Sequence, residues 1–104
     1  MLSLVHVYLP PHPNLRRRHL TEEAVREHCV DVLSRVPQDR PMLLCGDFNA
    51  RTANLAPEGH APRSSADHVI CARGRWLVEQ CGLLDLRLLN GSTGHTSGDW
   101  TCRR

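Results

Sequence analysis

Two short apolar runs, set either side of one amphipathic stretch, fix most of what this chain can fold into. Residues 2–9, LSLVHVYL, are nearly continuous in apolar side chains and stop at Pro10 and Pro11. Residues 41–45, PMLLC, form a second run. Runs this short, bounded by breakers, suit buried strands better than helices. Between them, residues 21–36 predict a helix. Val25, Cys29, Val32, Leu33 and Val36 recur on one face, while Glu22–Arg26 and Asp31–Arg35 stand four apart on the other. Thr21 is placed to cap the first turn, Glu22 and Glu23 suit the positive end of the helix dipole, and Pro37 ends the helix. The result is a βαβ unit.

The rest of the chain extends that unit. Residues 10–18, PPHPNLRRR, read as a loop, because three prolines in four positions remove the donors that regular structure needs. Residues 50–68 lack periodicity and read as a long loop, a length usually tied to function or mobility. Residues 73–83 predict a short helix with Leu77, Val78 and Cys81 inward and a stop at Gly82. In LLDLRLLN, Leu84, Leu86 and Leu88 share one face, as in a third strand, and DWTC after the Asn-Gly turn begins a fourth. The order β-α-β-loop-α-β-(β) defines an α/β or α+β layered sandwich.

Composition narrows the function classes. The chain has 104 residues, room for one domain, with 13 basic against 11 acidic residues. A net charge of +2 does not by itself argue for nucleic acid. The five cysteines are odd in number and scattered, which reads as reduced thiols in an intracellular protein, nuclear or cytoplasmic. Seven histidines invite zinc, but no C-x-x-C and no H-x-x-x-H converges four ligands, so zinc is rejected. The start MLSLVHVYLPP has no basic leader region and breaks too early for a signal peptide or a membrane span.

The chemistry is concentrated where the second run ends, at Gly46-Asp47-Phe48-Asn49. Sites in α/β sheets gather beyond the carboxyl ends of strands. In an extended segment Asp47 and Asn49 would project to the same side and Phe48 to the opposite, packed one. Gly46 would let another group approach the backbone. An Asp there can orient or deprotonate water or bind Mg²⁺, and an Asn can donate to a phosphoryl oxygen as its charge builds. The plainer reading is a turn in which Asp47 and Asn49 bond their own backbone.

LLCGDFNAR resembles the signature of the endonuclease/exonuclease/phosphatase superfamily, the deoxyribonuclease I-like proteins. VHVYLPP is similar to the family's Tyr-x-Pro strand, at a comparable distance upstream. Residues 63–102 resemble the LINE-type retrotransposon branch, with a Ser-x-Asp, an Arg-Gly-x-x-Leu helix, an Asn-Gly turn and an aromatic-Thr strand in that order. The resemblance implies a piece of a four-layer fold and Mg²⁺-dependent hydrolysis of a DNA phosphodiester. Asp47 would activate the attacking water, with Mg²⁺ as a possible ligand. Asn49 would hold the scissile phosphate and Tyr8 would contact it. From charge and position, Arg51 and the cluster Arg16, Arg17 and Arg18 are candidates for contact with the nucleic-acid backbone.

The resemblance also departs in places. Residues 1–104 are expected to be a partial domain, without the family's upstream metal-binding strands and its downstream Ser-Asp-His strand. The Asp67–His68 pair lies on a loop and does not replace that element, and Cys71 stands where the retroelement relatives typically carry Asn. Impaired nicking by the isolated chain is therefore expected. So are marginal stability and self-association through uncovered sheet edges and an apolar sheet face. Two alternatives stand beside the nuclease: a non-catalytic remnant that binds nucleic acid or protein, and a phosphoesterase for small phosphoesters.

Overall fold

The computed structural model describes residues 2–90. They fall in two compact units, Met1–Asn49 and Ala50–Arg104. The expected fourth strand, at residues 99–102, lies outside the described residues. Among the described residues no helix is long and apolar enough to cross a membrane.

The first unit is the expected βαβ. Strand β1 (Ser3–Tyr8) and strand β2 (Met42–Asp47) pair in parallel, from Ser3 opposite Met42 to Tyr8 opposite Asp47. Their side chains alternate across the sheet. Val5, Val7, Met42 and Leu44 are half-buried on one face, while Leu4, His6, Tyr8, Leu43 and Asp47 are exposed on the other. Leu4 keeps 67% of its surface in solvent and Leu43 keeps 40%.

Helix α2 (Glu22–Ser34) is the connection, and it follows its sequence signals closely. The Ala24 amide donates to Thr21 Oγ1 at 3.1 Å, a cap worth about 1 kcal/mol in such settings. Both ion pairs form, Glu22–Arg26 at 3.1 Å and Asp31–Arg35 at 2.8 Å. Val25, Cys29 and Leu33 are buried, and burial pushes the Cys29 thiol pKa up, so this sulfur stays protonated and inert. With Leu9 and Leu15 they form the core of this unit.

The expected loop at residues 10–18 is instead helical. Helix α1 (His12–Leu15) runs directly into a 3-10 turn over Arg16–Arg18. Proline opposes a helix interior, but Pro11 precedes the first turn and Pro13 lies within it, where amide donors have no helical partner anyway. His19, in the left-handed conformation at φ 56°, ends the segment, and the Leu20 amide returns to the Leu15 carbonyl at 2.9 Å.

In the second unit, helix α3 (Ala72–Leu83) matches the expected helix and buries Leu77, Val78 and Cys81. It does not stop at Gly82. Asp85 takes the left-handed conformation at φ 53°, its amide donates to the Gly82 carbonyl, and the Leu86 amide donates to the Cys81 carbonyl at 2.7 Å. This double closure is a Schellman cap with Asp in place of the usual Gly. It accounts for a second correction, since residues 84–86 close the helix. Leu84, Leu86 and Leu88 are half-buried between exposed neighbours, as anticipated, but the sheet of the described residues contains only β1 and β2. The long loop 50–68 is present as an irregular segment, and an antiparallel bridge between Thr52 and Ile70 closes its base.

At Gly46 the neighbouring strand leaves no room for a side chain. The glycine has φ 137°, and a Cβ there would lie 1.8 Å from the Val7 carbonyl oxygen. The group that approaches the glycine is thus the neighbouring strand. Gly46→Ala combines a forbidden contact with backbone strain, so a loss of roughly 3 kcal/mol or more is expected in chemical denaturation. A loss below about 1 kcal/mol would refute this account of the pairing.

Candidate functional site

The parallel register brings three of the residues singled out above to one end of the sheet. Tyr8 and Asp47 are the last pair of the ladder, and both are exposed. The Leu9 amide continues the pairing to the Asp47 carbonyl at 2.9 Å. Asn49 then closes the end: its Nδ2 donates to the Leu9 carbonyl at 2.7 Å, and its backbone amide donates to Asp47 Oδ1 at 3.0 Å.

This local geometry corrects one expectation. β2 ends at Asp47, and Asn49 has φ 47°, so the alternation of an extended strand does not carry through to Asn49. The left-handed turn, which Asn tolerates better than most residues, replaces it. Asp47 and Asn49 meet through the turn rather than by projecting in parallel. The turn uses Oδ1 of Asp47 and one N–H of Asn49. A carboxylate has a second oxygen, and a carboxamide has a second N–H and a carbonyl oxygen, so both side chains keep capacity for a ligand. Phe48 is half-buried between the exposed Asp47 and Asn49's own half-buried position.

Positive charge lies close by in the same unit. Arg16, Arg17 and Arg18 are all exposed on the 3-10 turn, and the Arg18 guanidinium stands 6.0 Å from the Tyr8 ring centroid. That distance is the outer limit of a cation–π contact. It ties one arginine of the cluster to the tyrosine at the strand end.

Mg²⁺ sites are built from several hard oxygen donors. Asp47 supplies one carboxylate, and among the described residues no group of three or more His, Cys, Asp or Glu side chains converges as a metal site.

Arg51 belongs to the second unit and is engaged there. Its Nε and Nη2 donate to Asp67 Oδ2 and Oδ1 at 2.8 and 2.6 Å, a bidentate pair. Asp67 also accepts from the Val69 amide, and its own amide donates to Ser65 Oγ. Behind the pair, Cys71 Sγ accepts from the Arg51 amide at 3.2 Å and from the Gly74 amide at 3.3 Å, which makes it the N-cap of α3. A Cβ on Gly74 would strike the Arg51 carbonyl oxygen, so a glycine is needed at 74 for the helix to start against this segment. This role of Asp67 was missed in the sequence. The available signal was Ser-x-Asp-x-Val, in which Ser and Asp each bond a backbone amide two positions on. His68 lies exposed on the same loop.

No protein-family model, curated protein or solved structure gave a significant match to this chain.

The hydrogen bonds from Arg51 hold the Asp67 carboxyl down, to a pKa of about 2, with burial opposing and the Val69 amide assisting. A depressed acid stabilises the fold above its unfolded pKa, near 4, and that contribution is lost as pH falls through about 2. Arg51→Ala is expected to return Asp67 toward the ordinary range in a carboxyl NMR titration. An unchanged Asp67 in that variant would rule out the pair as the cause.

Proposed function

We propose that the strand end formed by Tyr8, Asp47 and Asn49 is the phosphate-and-water half of a phosphodiester-hydrolysing site of the endonuclease/exonuclease/phosphatase class, with DNA as substrate. The observation that supports this most is the register that sets Tyr8 opposite Asp47, with Asn49 bonded across to Leu9. The residues singled out by resemblance, nearly forty positions apart in sequence, share one exposed strand end.

Each residue has a definite part in this reading. Asp47, anchored through Oδ1, offers Oδ2 to orient and deprotonate a water. Asn49 holds its amide rigidly through the Leu9 bond and offers the remaining N–H to a phosphoryl oxygen. Tyr8 offers a hydroxyl from the neighbouring strand. Arg16, Arg17 and Arg18 supply sequence-independent attraction to backbone phosphates. Mg²⁺ would contribute Lewis-acid stabilisation of the phosphoryl oxygens. The chain's own residues account for phosphate binding and water orientation, and Asp47 is the residue that would hold the ion. The exposed Arg16, Arg17 and Arg18 equally suit a second reading, in which the strand end binds DNA without cutting it.

Two measurements on the chain test the proposal. Adding a short DNA duplex should shift the Tyr8, Asp47 and Asn49 amides saturably in ¹H–¹⁵N spectra. Replacing Arg16, Arg17 and Arg18 by Ala should flatten the dependence of log K on log salt by up to about 3. Shifts confined to other regions would overturn the site. In a plasmid-nicking assay with Mg²⁺, any cleavage should fall by orders of magnitude in Asp47→Ala. Cleavage that survives that substitution sinks the role given to Asp47, and saturable binding with no cleavage selects the second reading.

A further inference from the structure

The second unit holds a hollow of about 270 Å³ with Asn54, Arg63, Ser64, Ser65 and His68 on its walls. The arginine is the unusual member. Arg63 Nε donates to the Asn90 carbonyl at 2.8 Å, and Nη1 donates to the Leu55 carbonyl and, at 3.4 Å, to Thr52 Oγ1. All of these acceptors are neutral. Among the described residues no carboxylate lies within ion-pair distance of Arg63, and none accepts from its Nη2. The guanidinium is thus positioned by three acceptors while its charge is left without a counter-ion among those residues. Burial pushes its pKa below the usual value, with the nearby Cys81 sulfur opposing, the direction expected of a cation that has lost water.

The rest of the wall combines the apolar Ala53 and Ile70 with several hydrogen-bond donors. Asn54, Ser64 and His68 are exposed at the rim. Ser65 Oγ accepts from the Asp67 amide, so its O–H proton can still be donated. One carboxylate, Asp67, also borders the hollow, but both of its oxygens are engaged by Arg51. A fixed guanidinium whose Nη2 N–H groups are still to be donated, beside hydroxyl, amide and imidazole donors, suits a small oxyanion. The volume lies at or below the lower end of ligand pockets, roughly 300 Å³, which fits one small anionic group better than a larger molecule.

We propose that this hollow is a phosphate-binding site, with Arg63 as its principal ligand and Ser64, Ser65, His68 and Asn54 as supporting donors. It is built in a different unit from the Tyr8–Asp47–Asn49 strand end and does not rest on the hydrolase reading. The shared chemistry is the phosphate group, from either a free phosphate or the backbone of a nucleic acid.

The test is a ¹H–¹⁵N titration of the chain at constant ionic strength, with inorganic phosphate in one arm and a short oligonucleotide in the other. Saturable shifts at the amides of Asn54, Ser64, Ser65 and His68 are expected. Saturation by inorganic phosphate assigns the site to free phosphate, and saturation by the oligonucleotide alone assigns it to the nucleic-acid backbone. Arg63→Gln should weaken binding about tenfold or more, as loss of a charge-assisted hydrogen bond does. No saturable shift at these amides in either arm, or equal binding by a folded Arg63→Gln, overturns the proposal. If Arg63→Gln does not fold, the double substitution Ser64→Ala and His68→Ala at the exposed rim decides. A weakening of about threefold or more supports the site, and unchanged affinity refutes it.

Discussion

Everything in the first unit depends on two backbones approaching each other at Gly46. The parallel ladder of β1 and β2 is only two strands wide, and a sheet that narrow is marginal without packing against a helix. Its final pairs are possible because residue 46 has no side chain to strike the Val7 carbonyl. That contact sets the register, and the register determines that Tyr8 and Asp47 end up side by side. The glycine in the motif is therefore a condition of assembly first. Chemistry at the strand end is possible only once that condition is met.

Where the physics is local, it was legible in the sequence. The cap at Thr21, the paired charges of α2, its buried stripe and the two flanking strands follow from spacing and residue type, and all are present. The failures occur where a local signal has two outcomes. Prolines at 11 and 13 forbid a helix interior but permit a helix start, and here they start one. Alternating leucines after residue 83 look like a strand, yet Asp85 in the left-handed conformation closes α3 through the same stretch. Asp tolerates that conformation less readily than Gly, so the cap could not be anticipated from composition. At the strand end, the placement of Tyr8 and Asp47 where the two runs finish was legible. The turn at Asn49 was weighed, but only the backbone angle decides it.

The second unit shows how a few residues can serve one another. Cys71 caps α3, a place where Asn is among the best residues. Sulfur does the same work here, accepting from Gly74 and Arg51 together. Arg51 in turn secures Asp67, and the missing side chain of Gly74 gives the Arg51 carbonyl its space. The basic residue nearest the motif in sequence is thus a staple for its own loop. Exposed charge of the kind nucleic acid requires is found instead on the 3-10 turn, at Arg16, Arg17 and Arg18.

The bond from Asn49 to Leu9 has an evolutionary consequence. Position 49 needs a residue that accepts a left-handed backbone and also carries a short amide donor. Gly meets the first demand and not the second. Asp would set a carboxylate against a carbonyl, and Gln pays the steric cost of the backbone. Asn alone satisfies both. Selection for folding is therefore enough to keep Asn49, and Gly46 with it, whether or not the strand end has any chemistry to perform.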